Sequence, residues 1–393
     1  MNVVDVIAVV LLIVALLSGI RAGLFAVLGM LCGLIAGGLA APWVLPWVSG
    51  LTATSEWHGF SVVGSAILLL AIGASIGAGI GSLFGHGADK LKLRGIERLL
   101  GGVLAVVTAA LALTLTGAGI AAAGIPVVSA SVASSTVLRT IQDSTPPPVA
   151  EAMARLHSAV LGDTTLPTID GLLDESDLAN APDPGEIDTD DPALAAAARS
   201  VAKVSGMAPA CGVVSSGSGF VVADDLIVTN AHVVAGVDAP IVELPGEPAR
   251  DGRVVYFDPV DDLAVVAADV RADPLPLADT LQAGDGGVVQ GYPHGGPFRT
   301  VPAGVIRAGA LLIDDIYGTS TAERSVYTLQ ADVQPGNSGG PLLTQSGAVA
   351  GVVFARDEVQ PQVGYAMTNA ELLPVLARLD PAARAVSTGS CRT

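Results

Sequence analysis

Apolar positions in this chain follow three regimes. Up to about residue 125 they form long unbroken runs, from 126 to 200 they thin out, and from 201 onward they return in short bursts. The first regime holds four apolar stretches, 3–20, 24–48, 60–84 and 99–123. Each is long enough to cross a hydrocarbon core of about 30 Å as a helix. Small residues recur on them, as in Gly73-Ala74-Ser75-Ile76-Gly77-Ala78-Gly79-Ile80-Gly81, and such faces let helices pack closely inside a bilayer. A four-span transmembrane domain is therefore predicted over 1–125. A cleavable leader fits poorly, because Asp5 stands where basic residues belong and three more spans follow. Asp5 reads as an interfacial carboxylate near the outer surface.

The second regime carries Pro146-Pro147-Pro148, Pro182-Asp183-Pro184-Gly185 and Asp188-Thr189-Asp190-Asp191-Pro192. Between 141 and 200 there are twelve acidic groups against Arg155 and Arg199. Low hydrophobicity, proline and like charge predict an extended extracytoplasmic linker over 126–200. One short amphipathic helix is expected within it, since Val149, Met153, Leu156 and Val160 recur at helical spacing.

The third regime breaks into β-branched runs separated by Gly, Pro and Asp, at 219–223, 226–229, 254–257, 287–290, 349–354 and 364–367. Many short strands with turn signals predict a barrel or sandwich over 201–393.

Charge sharpens the division. Of a net charge of −18 over 393 residues, the first 128 positions contribute only nine charged side chains of either sign. So acidic a chain excludes nucleic acid as a partner, which needs clustered Lys and Arg. Arg21 lies between the first two stretches, Lys90, Lys92, Arg94 and Arg98 between the last two, and 49–59 has no base. Positive-inside reasoning places those basic loops in the cytoplasm and everything after 125 outside, with the lipid bilayer as a partner. His58, His86 and His294 share no metal-ligand spacing, and neither a metal nor a cofactor is called for.

Three strings carry chemistry, in order: Thr229-Asn230-Ala231-His232, Asp262-Leu263-Ala264-Val265 and Gly336-Asn337-Ser338-Gly339-Gly340-Pro341. A serine hydroxyl is a poor nucleophile until an imidazole can take its proton, and the imidazole needs a carboxylate to fix its tautomer. His232, Asp262 and Ser338 are candidates for base, orienter and nucleophile, with Asp261 the rival acid. Glycines around Ser338 allow a tight turn and leave the N–H groups of Gly336 and Ser338 to face a developing oxyanion, where one donor supplies about 3 kcal/mol.

These strings, with Gly217-Ser218-Gly219-Phe220 upstream, resemble the chymotrypsin clan and especially its bacterial HtrA-like branch over 201–393. The resemblance implies two packed six-stranded barrels with the triad between them. The opening region, with its Asp in the first span and Gly19-Ile20-Arg21-Ala22-Gly23, resembles the colicin-V-production family. Together they give a multi-domain chain, a four-helix transmembrane domain followed by an all-β chymotrypsin-like double β-barrel. That architecture is similar to the mycobacterial membrane-anchored acid-resistance serine proteases. It implies an extracytoplasmic serine endopeptidase that cuts envelope proteins such as cell-wall hydrolases and serves acid and oxidative stress resistance. A non-enzymatic peptide-binding stress sensor is the alternative.

Five finer expectations follow. Asp332, six residues before Ser338, stands where trypsin-like enzymes carry the acid of the first substrate pocket, and would favour Arg or Lys there. Phe354-Ala355-Arg356 is expected on the strand edge that pairs with substrate backbone. Asn337 replaces the usual Asp before the serine and cannot pair with a freed amino terminus, so activity should not depend on one. Tyr292-Pro293-His294-Gly295-Gly296 is expected as a loop near the cleft. Cys211 and Cys391 bracket the protease region, and an outside location permits a disulfide between them.

Overall fold

A computed structural model of the chain describes residues 2–52, 68–69, 71–84, 94–122, 128–161, 166–169, 181, 185–208, 213–380 and 382–390. It separates into two compact units, Met1–Thr114 and Leu115–Thr393.

The first unit is helical. Helix α1 (Val3–Ala22) starts with a reciprocal cap: the Asn2 side chain accepts from Asp5 N–H at 3.0 Å, and the Asp5 carboxylate accepts from Asn2 N–H at 2.7 Å. Asp5 thus closes a helix end, satisfying donors that the first turn leaves over. Helices α2 (Leu24–Thr52), α3 (Ala71–Phe84) and α4 (Arg94–Ala122) follow. Glycines set their spacing: a Cβ on Gly29 or Gly33 would overlap the carbonyls of Gly77 or Gly73, and one on Gly19 would overlap Gly101. α1 and residues Gly95–Ala118 are long and apolar enough to cross a membrane, whereas Leu24–Gly37 and α3 are shorter apolar helices. Most of the expected third stretch before residue 68 lies outside the described residues.

In the second unit, strands β9 (Gly286–Gly291), β10 (Arg299–Asp314), β11 (Thr321–Gln330), β12 (Pro341–Leu343), β13 (Val349–Asp357) and β14 (Val363–Thr368) form a closed barrel, because β14 pairs with both β11 and β13. A second sheet runs β6-β5-β2-β3-β4-β8-β7. Its members are β2 (Val201–Ala208), β3 (Val213–Ala223), β4 (Leu226–Thr229), β5 (Ile241–Glu243), β6 (Arg250–Asp251), β7 (Arg253–Asp258) and β8 (Leu263–Ala267). The β-branched bursts lie inside these strands, where Val204, Ile227, Val266, Val289, Val352 and Val363 are fully buried. Each sheet curls around its own apolar cluster, and a third cluster joins Phe220 and Leu263 of one to Phe354 and Tyr365 of the other.

The extended linker is corrected. Its described residues form α5 (Val128–Ala133), α6 (Thr136–Ser144), α7 (Pro147–Leu161) and a two-residue strand β1 (Thr168–Ile169). They fold onto the β domain and belong to the same unit. A few apolar residues anchor them: Val132, Leu138, Ala154 and Leu166 are buried. Polar contacts lock the placement. Arg139 donates to the Glu247 carbonyl, Ala249 N–H donates to Ser134 Oγ at 2.9 Å, and Glu151 pairs with Arg299. The helix expected near 149–161 is α7.

Candidate active site

The three chemical strings converge where the two sheets meet. His232 sits in a short buried helix (Ala231–Val234) directly after β4, and Asp262 is the residue before β8, which pairs with β4. Asp262 holds the imidazole firmly: its carboxylate lies 2.7 and 3.0 Å from His232 Nδ1 and also accepts the His232 backbone N–H at 2.9 Å. This fixes the proton on Nδ1 and leaves Nε2 as the free base. Asp262 adopts a left-handed backbone, φ 53°, a costly conformation for a side-chain-bearing residue. Asn230 steadies it by donating its amide to the Asp262 carbonyl at 2.8 Å. Asp261 is instead half-buried beside Asp258; burial and that neighbour raise its pKa above the ordinary carboxylate value.

Ser338 is 2% exposed and is carried by a turn just before β12. Its carbonyl accepts from Ser218 N–H at 2.7 Å, and a Cβ on Gly339 (φ 80°) would overlap the Ser218 carbonyl and the Thr229 hydroxyl. The serine turn is thereby pressed against β3 and against Thr229 of β4, three residues ahead of His232. Gly336, at φ 94°, comes so close to Tyr292 and His294 that only glycine fits. Asn337 N–H donates to the Gln334 carbonyl at 3.0 Å, while the N–H groups of Gly336 and Ser338 have no acceptor among the described residues. Two unused donors flanking a candidate nucleophile are the arrangement an oxyanion would require. The imidazole's hydrogen bonds among the described residues go to Asp262, and none joins it to Ser338 Oγ.

The comparisons agree with this geometry. Residues 217–352 match the trypsin-like peptidase domain family, and residues 4–146 match the colicin V production protein family. Serine protease Rv3671c of Mycobacterium tuberculosis is 36% identical over 270 residues, covering 68% of this chain and 67% of that protein. The chain belongs to the same serine protease family. It is a serine endopeptidase with an apolar helical N-terminal part of the membrane-associating kind. The solved active form of the Rv3671c protease is similar at a TM-score of 0.50 and 36% identity, over 58% of this chain and 96% of that one. A probable periplasmic DegP-like serine endoprotease of Hahella chejuensis is 33% identical over 186 residues, 45% of this chain and 37% of that protein.

Not every expected residue of this protease falls where its sequence suggested. Asp332 is exposed and accepts the Gln334 side-chain amide, while its neighbours Ala331 and Val333 are the buried ones. Exposed, just past the end of β11, the carboxylate is not buried as a pocket floor would be. Phe354 and Ala355 lie on β13, yet their side chains are buried in the core, which leaves backbone and Arg356 to face a peptide. Cys211 and Cys391 lie outside the described residues.

Sequence reasoning passed over Ser218 as a functional residue. Its hydroxyl donates to the Gly336 carbonyl at 2.7 Å and accepts from Tyr292 N–H at 2.9 Å. It therefore ties the oxyanion turn to the 292–296 loop. His294 N–H adds a 2.5 Å bond to the Pro335 carbonyl. A serine between two glycines in a strand was the available signal.

Proposed function

We propose that this protein is a membrane-tethered endopeptidase in which Ser338 attacks the scissile carbonyl, His232 takes and returns the proton, and Asp262 orients the imidazole. The observation that carries this reading is the double grip of the Asp262 carboxylate on His232 Nδ1 and its backbone N–H. Loss of the serine proton to Nε2 makes imidazolium, which the buried carboxylate stabilises. The tetrahedral oxyanion is received by the N–H groups of Gly336 and Ser338. Collapse expels the amine, protonated by His232, and leaves an acyl-enzyme on Ser338. Water activated by the same imidazole then frees the acid.

Peptide substrate adds to the edge of β13 at Phe354–Arg356 through backbone hydrogen bonds. The first pocket in this reading lies over Ala331, Val333 and Val353, members of one buried apolar cluster, and takes an aliphatic side chain rather than Arg or Lys. Four spans, with the basic loops in the cytoplasm, put the protease on the extracytoplasmic face. Envelope proteins are then its substrates, and resistance to acid and oxidative stress is its role. There the Cys211–Cys391 disulfide is free to form.

The test is digestion of an unfolded protein by the detergent-solubilised full chain beside its Ser338→Ala and His232→Ala variants. Cleavage by the unaltered chain alone, after aliphatic residues, supports the reading. Cleavage that persists in Ser338→Ala overturns it.

A further inference from the structure

One segment of the chain lies where a substrate has to go. α7 packs on the 293–296 loop: Ala154 is buried against Gly296, and Glu151 pairs with Arg299 just beyond. That loop touches the oxyanion turn through His294 and Pro335. Further along, Leu166 is 4% exposed and joins the apolar cluster that contains Ala331, Val333 and Val353. The chain then runs parallel to β13, with Thr168 opposite Arg356 and Ile169 opposite Asp357. Arg356 N–H donates to the Pro167 carbonyl at 3.0 Å, and Glu358 N–H to the Ile169 carbonyl at 3.1 Å.

We propose that α7 and residues 166–169 form a built-in occluding element, which fills the apolar pocket with Leu166 and the substrate-pairing edge of β13 with residues 167–169, holding the protease latent. This rests on the assignment of that edge to substrate. An N–H in a strand ladder serves one carbonyl at a time, so a peptide reaches Arg356 only after Pro167 leaves. The buried Leu166 side chain and the docked α7 make departure of the segment a cooperative opening. Asn337 fits this scheme. Its side-chain oxygen accepts from Gln334 N–H at 2.9 Å, and its buried amide nitrogen has no partner among the described residues. It offers no carboxylate to a new amino terminus, so removal of the segment, rather than creation of a terminus, is what activates.

The experiment uses the full chain in detergent micelles and the rate at which a fluorophosphonate probe labels it. Leu166→Asp and Ala154→Trp loosen opposite ends of the segment and touch none of the catalytic residues. A site open a tenth of the time reacts about tenfold slower than one always open. Both variants should therefore label about tenfold faster than the unaltered chain, with the polypeptide still uncut on a denaturing gel. A synthetic peptide of residues 163–172 should inhibit Leu166→Asp competitively, raising KM with kcat unchanged. Equal labelling rates in the unaltered chain and both variants, each showing a cooperative thermal transition, overturn the proposal, as does a peptide that leaves KM unmoved. Failure of the triad reading is distinct: Ser338→Ala would then label as fast as the rest.

Discussion

Ser218 Oγ donates to the Gly336 carbonyl at 2.7 Å, across 118 residues of sequence. The same oxygen accepts from Tyr292 N–H, so one hydroxyl of β3 positions the peptide that carries a proposed oxyanion donor. Ser218→Ala takes this partner from the buried Gly336 carbonyl and the half-buried Tyr292 N–H, which costs about 1–3 kcal/mol of stability. Removing an oxyanion donor outright costs about 10²–10³ in kcat; displacing one should cost about 10-fold, with KM little changed. Steady-state kinetics on a peptide substrate check this, and an unchanged kcat contradicts it.

Asp262 and Asp261 are adjacent, and one substitution at each separates their roles. Asp262→Asn puts an amide donor where the imidazole proton points and favours the wrong tautomer, an effect of about 10⁴ in kcat where a triad aspartate has been so replaced. Asp261→Asn should keep nearly full activity. Because the Asp261 pKa is raised by burial and by Asp258, its charged form is disfavoured in the fold. The neutral variant should therefore be at least as stable above the ordinary carboxylate range, and the difference should vanish in acid. Thermal melts at pH 7 and pH 3.5 read out that sign.

Asp332→Asn should leave the residue preference at the cut unchanged, since the carboxylate is exposed and turned towards Gln334. A peptide library should show aliphatic residues before the cut in both forms. A preference for Arg or Lys that disappears in the variant would restore the acidic pocket.

His294 makes the docked segment pH-sensitive. Its pKa is lowered first by burial and then by Arg155 of α7 and Arg356 of β13, with Asp332 opposing. A depressed imidazole pKa means that the undocked form takes up the proton first as pH falls below the ordinary histidine value. Docking is unpenalised above that value and weakens below it. The labelling-rate ratio of Leu166→Asp to the unaltered chain should therefore fall towards one between pH 7.5 and 5. Taking the ratio cancels any pH effect common to the two chains. In a His294→Asn background the ratio should stay flat.

The triad strings were legible because each packs a fixed chemistry into contiguous residues, and their order needed no fold. The barrels were legible wherever a strand is buried along its length, as at β4 and β13. They were less so at β10 and β11, where Ala308–Leu312 leave the core and are exposed or half-exposed, which erases the alternation. Ser218 escaped because its partner is far away in sequence. The linker misled for a different reason. Its composition is that of a spacer, but Leu138, Ala154 and Leu166 bury themselves against another part of the chain, and composition says nothing about a surface supplied from elsewhere. Asp332 misled because its distance in sequence from Ser338 does not fix which way its side chain points.

The central claim is that Ser338 is an activated nucleophile in this geometry. Its most direct test is intact-mass analysis of the full chain after fluorophosphonate treatment, followed by peptide mapping. One adduct per chain, mapped to Ser338, absent from Ser338→Ala and strongly slowed in Asp262→Asn, is the expected result. An adduct on another residue, or one that persists in Ser338→Ala, would contradict it.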